Sequence, residues 1–197
     1  MTTKFASLID SYLQSSIGVV ENFLPPTLAL ALKKELLLHS FNGQMKAASI
    51  GHGESKQQNE LIRTDSIYWL DNTHAAPAEV LFLDIMQQLL RYMNETCYTG
   101  LTSSEFHFAM YEAGSFYKKH RDQFHQHQQR QYTFICYLND DWETGDGGEL
   151  CVHHQESIQL IPPTMGHVVF FKSSELMHEV LLTHKPRLSI TGWFRIE

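Results

Sequence analysis

From about residue 102 onward the chain breaks into short apolar or alternating runs: SEFHFAMY, RQYTFICYL, GELCVH, SIQLI, HVVFF, HEVLL and RLSITGWFR. Between them lie NDDWETGDGG, PPTMG and THKP, rich in the Gly, Pro, Asn and Asp that supply turn conformations. Helical spacing is absent here, so the runs read as strands. Seven or eight such strands in succession bury their apolar faces by closing on one another, which implies a barrel or jelly roll of the cupin-like type.

The first half has a different period. Phe5, Leu8, Ile9, Tyr12 and Leu13 recur at helical spacing, and the helix they predict ends near Gly18. VVENFL reads as a strand. Pro25 and Pro26 start a second helix through LALALKKELLLHS, and AEVLFLDIMQQLLRYMN after Pro77 gives a third; proline suits a first helical turn, where its missing N–H has no partner to lose. These helices are expected to pack outside the barrel. The polar stretch Gly51 to Glu60, between two plausible strands, is too long for a tight hairpin, and Gly51 and Gly53 suit a mobile loop over a site. The organisation expected is a single domain over 1–197, mainly β with flanking helices: support helices and a lid loop, about 45–65, in residues 1–100, and a jelly-roll core in 101–197.

At 197 residues, 43% hydrophobic and 19% charged, the chain is large enough to bury a sizeable core. A formal charge of −7 argues against a nucleic-acid partner, because counterion release needs clustered Lys and Arg. Cys97, Cys136 and Cys151 form an odd set without a CxxC, as expected of reduced thiols in a cytoplasmic protein. MTTKFASLIDSYLQ lacks the apolar core of a signal peptide, and no run approaches a membrane span.

YKKHRDQF carries the most specific chemistry. In an extended strand His120 and Asp122 project to one face and Arg121 to the other, which suits two ligands of one ion, although an exposed ion pair would have the same spacing. A third ligand belongs on another strand, and His178 in SSELMHEVLL is the best placed. Two histidines and a carboxylate make a facial triad with three open positions on Fe(II), unlike the four closed ligands of structural zinc. In RLSITGWF, Arg187, Ser189, Thr191 and Trp193 share a polar face opposite Leu188, Ile190 and Phe194. If the apolar face packs in the sandwich core, Arg187 with its neighbouring hydroxyls is a cradle for a carboxylate; a lone arginine at a strand start would otherwise be solvated.

YEAGSFYKKHRD, RQYTFICYLNDDW, GDGGEL, PPTMGHVVFF, MHEV and PRLSITGWF, in that order and spacing, resemble the Fe(II) and 2-oxoglutarate dependent dioxygenases, and within them the prolyl 4-hydroxylases of the oxygen-sensing type and their bacterial relatives. The resemblance covers most of the chain. It implies a double-stranded β-helix, with His120, Asp122 and His178 as iron ligands and Arg187 binding the distal carboxylate of 2-oxoglutarate. Tyr111 and Tyr137 would line the co-substrate pocket, Thr191 would lie near the same carboxylate, and Trp193 would border the substrate entrance. Arg63 and Asp65 would fix the closed form of a finger loop, and Arg130 would meet substrate at the barrel mouth, a surface salt bridge being the alternative. The spacing from Tyr111 to His120 is one residue shorter than in the animal enzymes.

The cofactors so implied are Fe(II), 2-oxoglutarate and O₂, with ascorbate as a further candidate. The reaction would couple decarboxylation of 2-oxoglutarate to hydroxylation of a prolyl residue in a protein, a component of translation being one candidate. Hydroxylation of a lysyl residue or a small molecule, or a metal-holding cupin-like sensor without catalysis, are the alternatives. Asp122 argues against a halogenase. Trp193 stands where alkylation-repair demethylases carry a second arginine, against base repair. His125, His127, His153, His154, His167 and His184 read as solvated, and GDGGEL as a turn entering a strand.

Overall fold

The computed structural model describes residues 1–48, 61–71, 73, 76–123 and 128–197. Helix α1 (Thr2–Ser15) buries Phe5, Leu8 and Ile9 and stops where Ser16 turns left-handed at φ 61°, its N–H donating to the Tyr12 carbonyl. The expected stop at Gly18 is therefore incorrect. Gly18 lies within strand β1 (Ile17–Val20), where a Cβ would stand 2.8 Å from the Leu8 carbonyl; glycine there lets strand and helix touch. VVENFL is likewise only half a strand: after Val20 the chain bends, and Phe23 and Leu24 drop into the core.

Helix α2 (Pro26–Phe41) and helix α3 (Pro77–Cys97) each begin on their proline. In α3 the Glu79 carboxylate accepts a hydrogen bond from the Ala76 N–H at 3.3 Å, satisfying a donor the helix leaves open. Strands β2 (Lys46–Ala47) and β3 (Ser66–Trp69) flank the segment expected to be a lid; its Gly51 to Glu60 stretch, and His125 and His127, lie outside the described residues. The second half follows the pattern read above: β4 (Ser103–Tyr111), β5 (Tyr117–His120), β6 (Arg130–Tyr137), β7 (Leu150–His153), β8 (Ile158–Ile161), β9 (Val168–Lys172), β10 (Met177–Val180) and β11 (Arg187–Arg195).

Among the described residues the strands form two antiparallel sheets, one in the order β1-β9-β6-β11-β4-β3-β2, the other β5-β10-β7-β8. The first-half strands thus extend both edges of the large sheet. Two apolar layers result. Leu188, Ile190 and Phe194 of β11, with Phe106, Phe108, Phe134 and Phe170, face the three helices; Tyr111, Tyr137, Val152, Val169, Phe171 and Val180 meet between the sheets. The apolar face of RLSITGWF therefore packs under the helices and not in the sandwich interior, and for that reason its other face looks into the barrel.

Candidate metal centre and carboxylate pocket

Strand β10 pairs with β5 so that His178 lies directly opposite His120. Their rings stand 4.3 Å apart between centroids. β5 ends at His120, and Asp122 sits in the bend that follows, with Arg121 exposed. The strict strand alternation used to join His120 and Asp122 is thus not what brings them together; the bend does. Asp122 Oδ1 lies 3.4 Å from His120 Nε2, and Oδ2 lies 3.8 Å from His178 Nε2. The three donor atoms all fall within 4.8 Å of one another.

Their orientation is held from behind. His120 Nδ1 lies 2.7 Å from the Lys118 carbonyl and His178 Nδ1 3.2 Å from that of Leu176. A carbonyl only accepts, so both Nδ1 atoms carry a proton and both Nε2 atoms face Asp122. The Thr133 hydroxyl donates to Asp122 Oδ2 at 2.8 Å and shares a 2.9 Å contact with Ser173 Oγ. Burial opposes the charged form of Asp122, yet His178, His120 and Thr133 outweigh it and hold its pKa below the ordinary carboxylate range. Burial pushes His178 down to about 4, with Asp122 opposing, which leaves its imidazole neutral at physiological pH.

Tyr117 stacks on His120, centroids 3.6 Å apart, and the Arg63 guanidinium lies 4.4 Å from the Tyr117 ring. Arg63 is itself clamped by Asp65 through two bonds of 2.7 and 2.6 Å. Arg63 and Asp65 therefore reach the centre through Tyr117, whose phenol burial pushes up to about 12.

Arg187 is 3% exposed. Its Nε donates to the Gly148 carbonyl at 2.7 Å and its Nη1 to Ser189 Oγ at 3.5 Å, and its charge lies 5.0 Å from the rings of both Tyr111 and Tyr137. Among the described residues no carboxylate pairs with it. Tyr137 is fully buried with its hydroxyl close to the Arg187 guanidinium, but the hydroxyl makes no hydrogen bond of good geometry there. A buried cation without an anion, beside an orphaned hydroxyl, is costly unless a ligand completes it. Thr191 lies further along β11, half-buried between His107 of β4 and Ile135 of β6; Ser189, not Thr191, touches the guanidinium.

Residues 106–195 match the 2OG-Fe(II) oxygenase superfamily model. A prolyl-4-hydroxylase from Pseudomonas putida is 34% identical, the match covering 98% of this chain and 99% of that one with a TM-score of 0.88. The chain belongs to the 2OG-Fe(II) oxygenase superfamily. A Trichoplax adhaerens prolyl hydroxylase, solved with a peptide fragment of the hypoxia inducible factor oxygen degradation domain, shares the fold at 20% identity and a TM-score of 0.85 over 97% of this chain and 88% of its own. The prolyl 3-hydroxylase OGFOD1 of Xenopus laevis is 33% identical over 76 residues, which span 33% of this chain and only 15% of that protein.

The groups that give the superfamily its name fit this oxygenase. Two imidazoles and a carboxylate form the hard-to-intermediate donor set Fe(II) prefers, and Arg187, without a carboxylate partner among the described residues, suits a dicarboxylate together with the Tyr137 hydroxyl.

On β11 of this oxygenase Trp193 is buried, with the Arg130 guanidinium 3.3 Å from its ring centroid, and Arg130 is bound to Glu105 at 2.8 Å. The ion-pair alternative for Arg130 is thus met by Glu105, with the guanidinium stacked on Trp193. His107 lies 5.4 Å from Trp193 and 4.8 Å from Trp69 between ring centroids, and His107 Nδ1 and Trp193 Nε1 are buried without partners among the described residues. His107, Thr133, Ser173, Tyr117 and Gly148 were not singled out from the sequence. The sequence signal for His107 and Thr133 is a polar residue set among apolar neighbours, His107 between Phe106 and Phe108 and Thr133 between Tyr132 and Phe134. The GDGGEL reading as a turn holds, and its glycines are required: a Cβ on Gly147, at φ 71°, would sit 2.2 Å from the Leu182 carbonyl.

The solvated reading fits His184 and His154, which are exposed. It does not fit His153, whose Nε2 lies 2.8 Å from Glu179 Oε1, nor His167, half-buried, 3.5 Å from Glu21 and with an Nδ1 unpartnered among the described residues.

Proposed function

We propose that the chain hydroxylates a prolyl residue of a protein substrate, with 2-oxoglutarate as co-substrate and succinate and CO₂ as products. The observation that carries this reading is the pairing of a three-donor centre with a buried, anion-free arginine in one barrel. His120, Asp122 and His178 would hold Fe(II), which would supply the activation of O₂ for C–H hydroxylation. Arg187, steadied by Gly148 and Ser189, receives the distal carboxylate as a bidentate partner, and Tyr137 donates its hydroxyl to the same group. Tyr111 and the inter-sheet apolar layer exclude water from the pocket. Thr191 continues that wall, and Trp193, with Arg130 stacked on it, borders the substrate path. Arg63 and Asp65 keep Tyr117 against His120.

The prolyl target rests on the 34% identical Pseudomonas putida protein. A component of translation is the proposed substrate class, by likeness to bacterial relatives, and a cytoplasmic location is proposed on the three free cysteines. Among the described residues no helix is long and apolar enough to cross a membrane. Purified protein supplied with Fe(II), 2-oxoglutarate and O₂ is expected to form succinate. Host proteins compared with and without the chain are expected to differ by one oxygen on a proline. A fully loaded centre that never forms succinate would instead favour a metal-holding sensor, and oxygen found on lysine would redirect the substrate assignment.

A further inference from the structure

Strand alternation gives the small sheet two chemically different faces. Leu150, Val152 and Val180 point between the sheets, as does the buried His178. Cys151, His153 and Glu179, one residue out of phase, share the opposite, outer face. The β7–β10 register sets Cys151 directly opposite Glu179 and His153 opposite Met177. The Cys151 Sγ to His153 Nε2 distance is 3.8 Å, His153 Nε2 to Glu179 Oε1 is 2.8 Å, and all three donor atoms lie within 4.8 Å of one another.

We propose that Cys151, His153 and Glu179 form a second metal site, for Zn²⁺, on the outer face of the small sheet. A thiolate, an imidazole and a carboxylate together select a borderline-soft ion over Mg²⁺ or Ca²⁺, which take oxygen ligands. With Zn–S near 2.3 Å and Zn–N near 2.0 Å, tetrahedral coordination separates S from N by about 3.5 Å and N from O by somewhat less. The sulfur–nitrogen pair is already close to that spacing. The nitrogen–oxygen pair needs to open slightly, from a hydrogen bond to two bonds through the metal. Binding displaces the thiol proton, and the single imidazole proton of His153 moves from the Nε2 that faces Glu179 to Nδ1, which frees Nε2 for the metal. Water fills the fourth position.

The position gives the site a consequence. Glu179 directly follows His178, and Val152, between Cys151 and His153, is paired with His178 across the ladder. A metal here clamps β7 to β10 on the side opposite the ferrous centre, behind one of its candidate ligands.

Co²⁺ titration of the metal-free full chain tests this, because a thiolate ligand gives a near-ultraviolet charge-transfer band and the His120, Asp122 and His178 centre has no sulfur. Two equivalents are expected to bind, one of them with the band. Cys151→Ser should abolish the band and the equivalent that carries it, leave the other, and leave the melting temperature of the metal-free protein near the parent value. Asp122→Ala should keep the band. Glu179→Gln should weaken the banded equivalent at least about tenfold, since even loss of an outer-shell partner has that effect. No band at saturating Co²⁺, or a band that survives Cys151→Ser and so belongs to Cys97 or Cys136, overturns the proposal.

Discussion

Thr133 Oγ1 donates to Asp122 Oδ2 at 2.8 Å inside the barrel, and the same hydroxyl touches Ser173. Strand β6 and the turn that follows β9 thereby aim a carboxylate that belongs to neither of them. Thr133→Val keeps the shape and removes the donor. The expected result is a metal affinity lower by about 10–100-fold, typical of losing an outer-shell partner, with Thr133→Ser restoring most of it. An unchanged Fe(II) or Co²⁺ titration would show that Asp122 is positioned by its bend alone.

Arg187→Ala removes a hydrogen-bonding cation, and such bonds contribute about 1.5–3 kcal/mol each. We expect at least a tenfold loss of 2-oxoglutarate affinity, measured anaerobically, with metal affinity retained. Arg187→Lys keeps the charge and loses the planar fork, so it should recover only part of the binding. Equal affinity in parent and alanine variant would refute the carboxylate role.

His107 governs part of the acid stability. Burial pushes its pKa from 6.5 to about 3, helped by Arg63 and Arg130. As pH falls below about 6.5 the unfolded chain takes up a proton that the native His107 does not, so stability present at neutral pH is lost progressively down to about pH 3. His107→Leu is expected to flatten the decline of melting temperature with acid across that window. A parallel curve for the variant would mean that other groups carry the transition.

Gly147→Ala places a Cβ 2.2 Å from the Leu182 carbonyl in a left-handed backbone. A cost above about 1 kcal/mol is expected, lowering the melting temperature by about 2–4 °C per kcal/mol in a chain of this size. Because the next residue, Gly148, supplies the carbonyl that holds Arg187, the variant should also bind 2-oxoglutarate less well. A thermally unchanged variant would show that the turn relaxes freely.

What was legible in the sequence was local: the strand run after residue 102, the prolines that open α2 and α3, and the polar and apolar faces of RLSITGWF. These follow from period and backbone chemistry, which act over a few residues. His120, Asp122, His178 and Arg187 were legible because their types and order match a family's motifs; period alone failed at Asp122, since β5 stops at His120. Gly18 was misread for a related reason: a glycine ends a helix or admits a close neighbour, and only the Leu8 carbonyl beside it tells which.

The tertiary structure alone decided the rest. Which face of β11 looks inward depends on where the helices lie, and the helices took the side of Leu188, Ile190 and Phe194. His153 and Glu179, 26 residues apart, meet because β7 and β10 pair in one register, and Thr133 meets Asp122 because β6 runs beside the bend. A sequence specifies which side chains a strand offers to each side; partners far along the chain are chosen by strand order and register, which the burial of the whole apolar surface determines collectively.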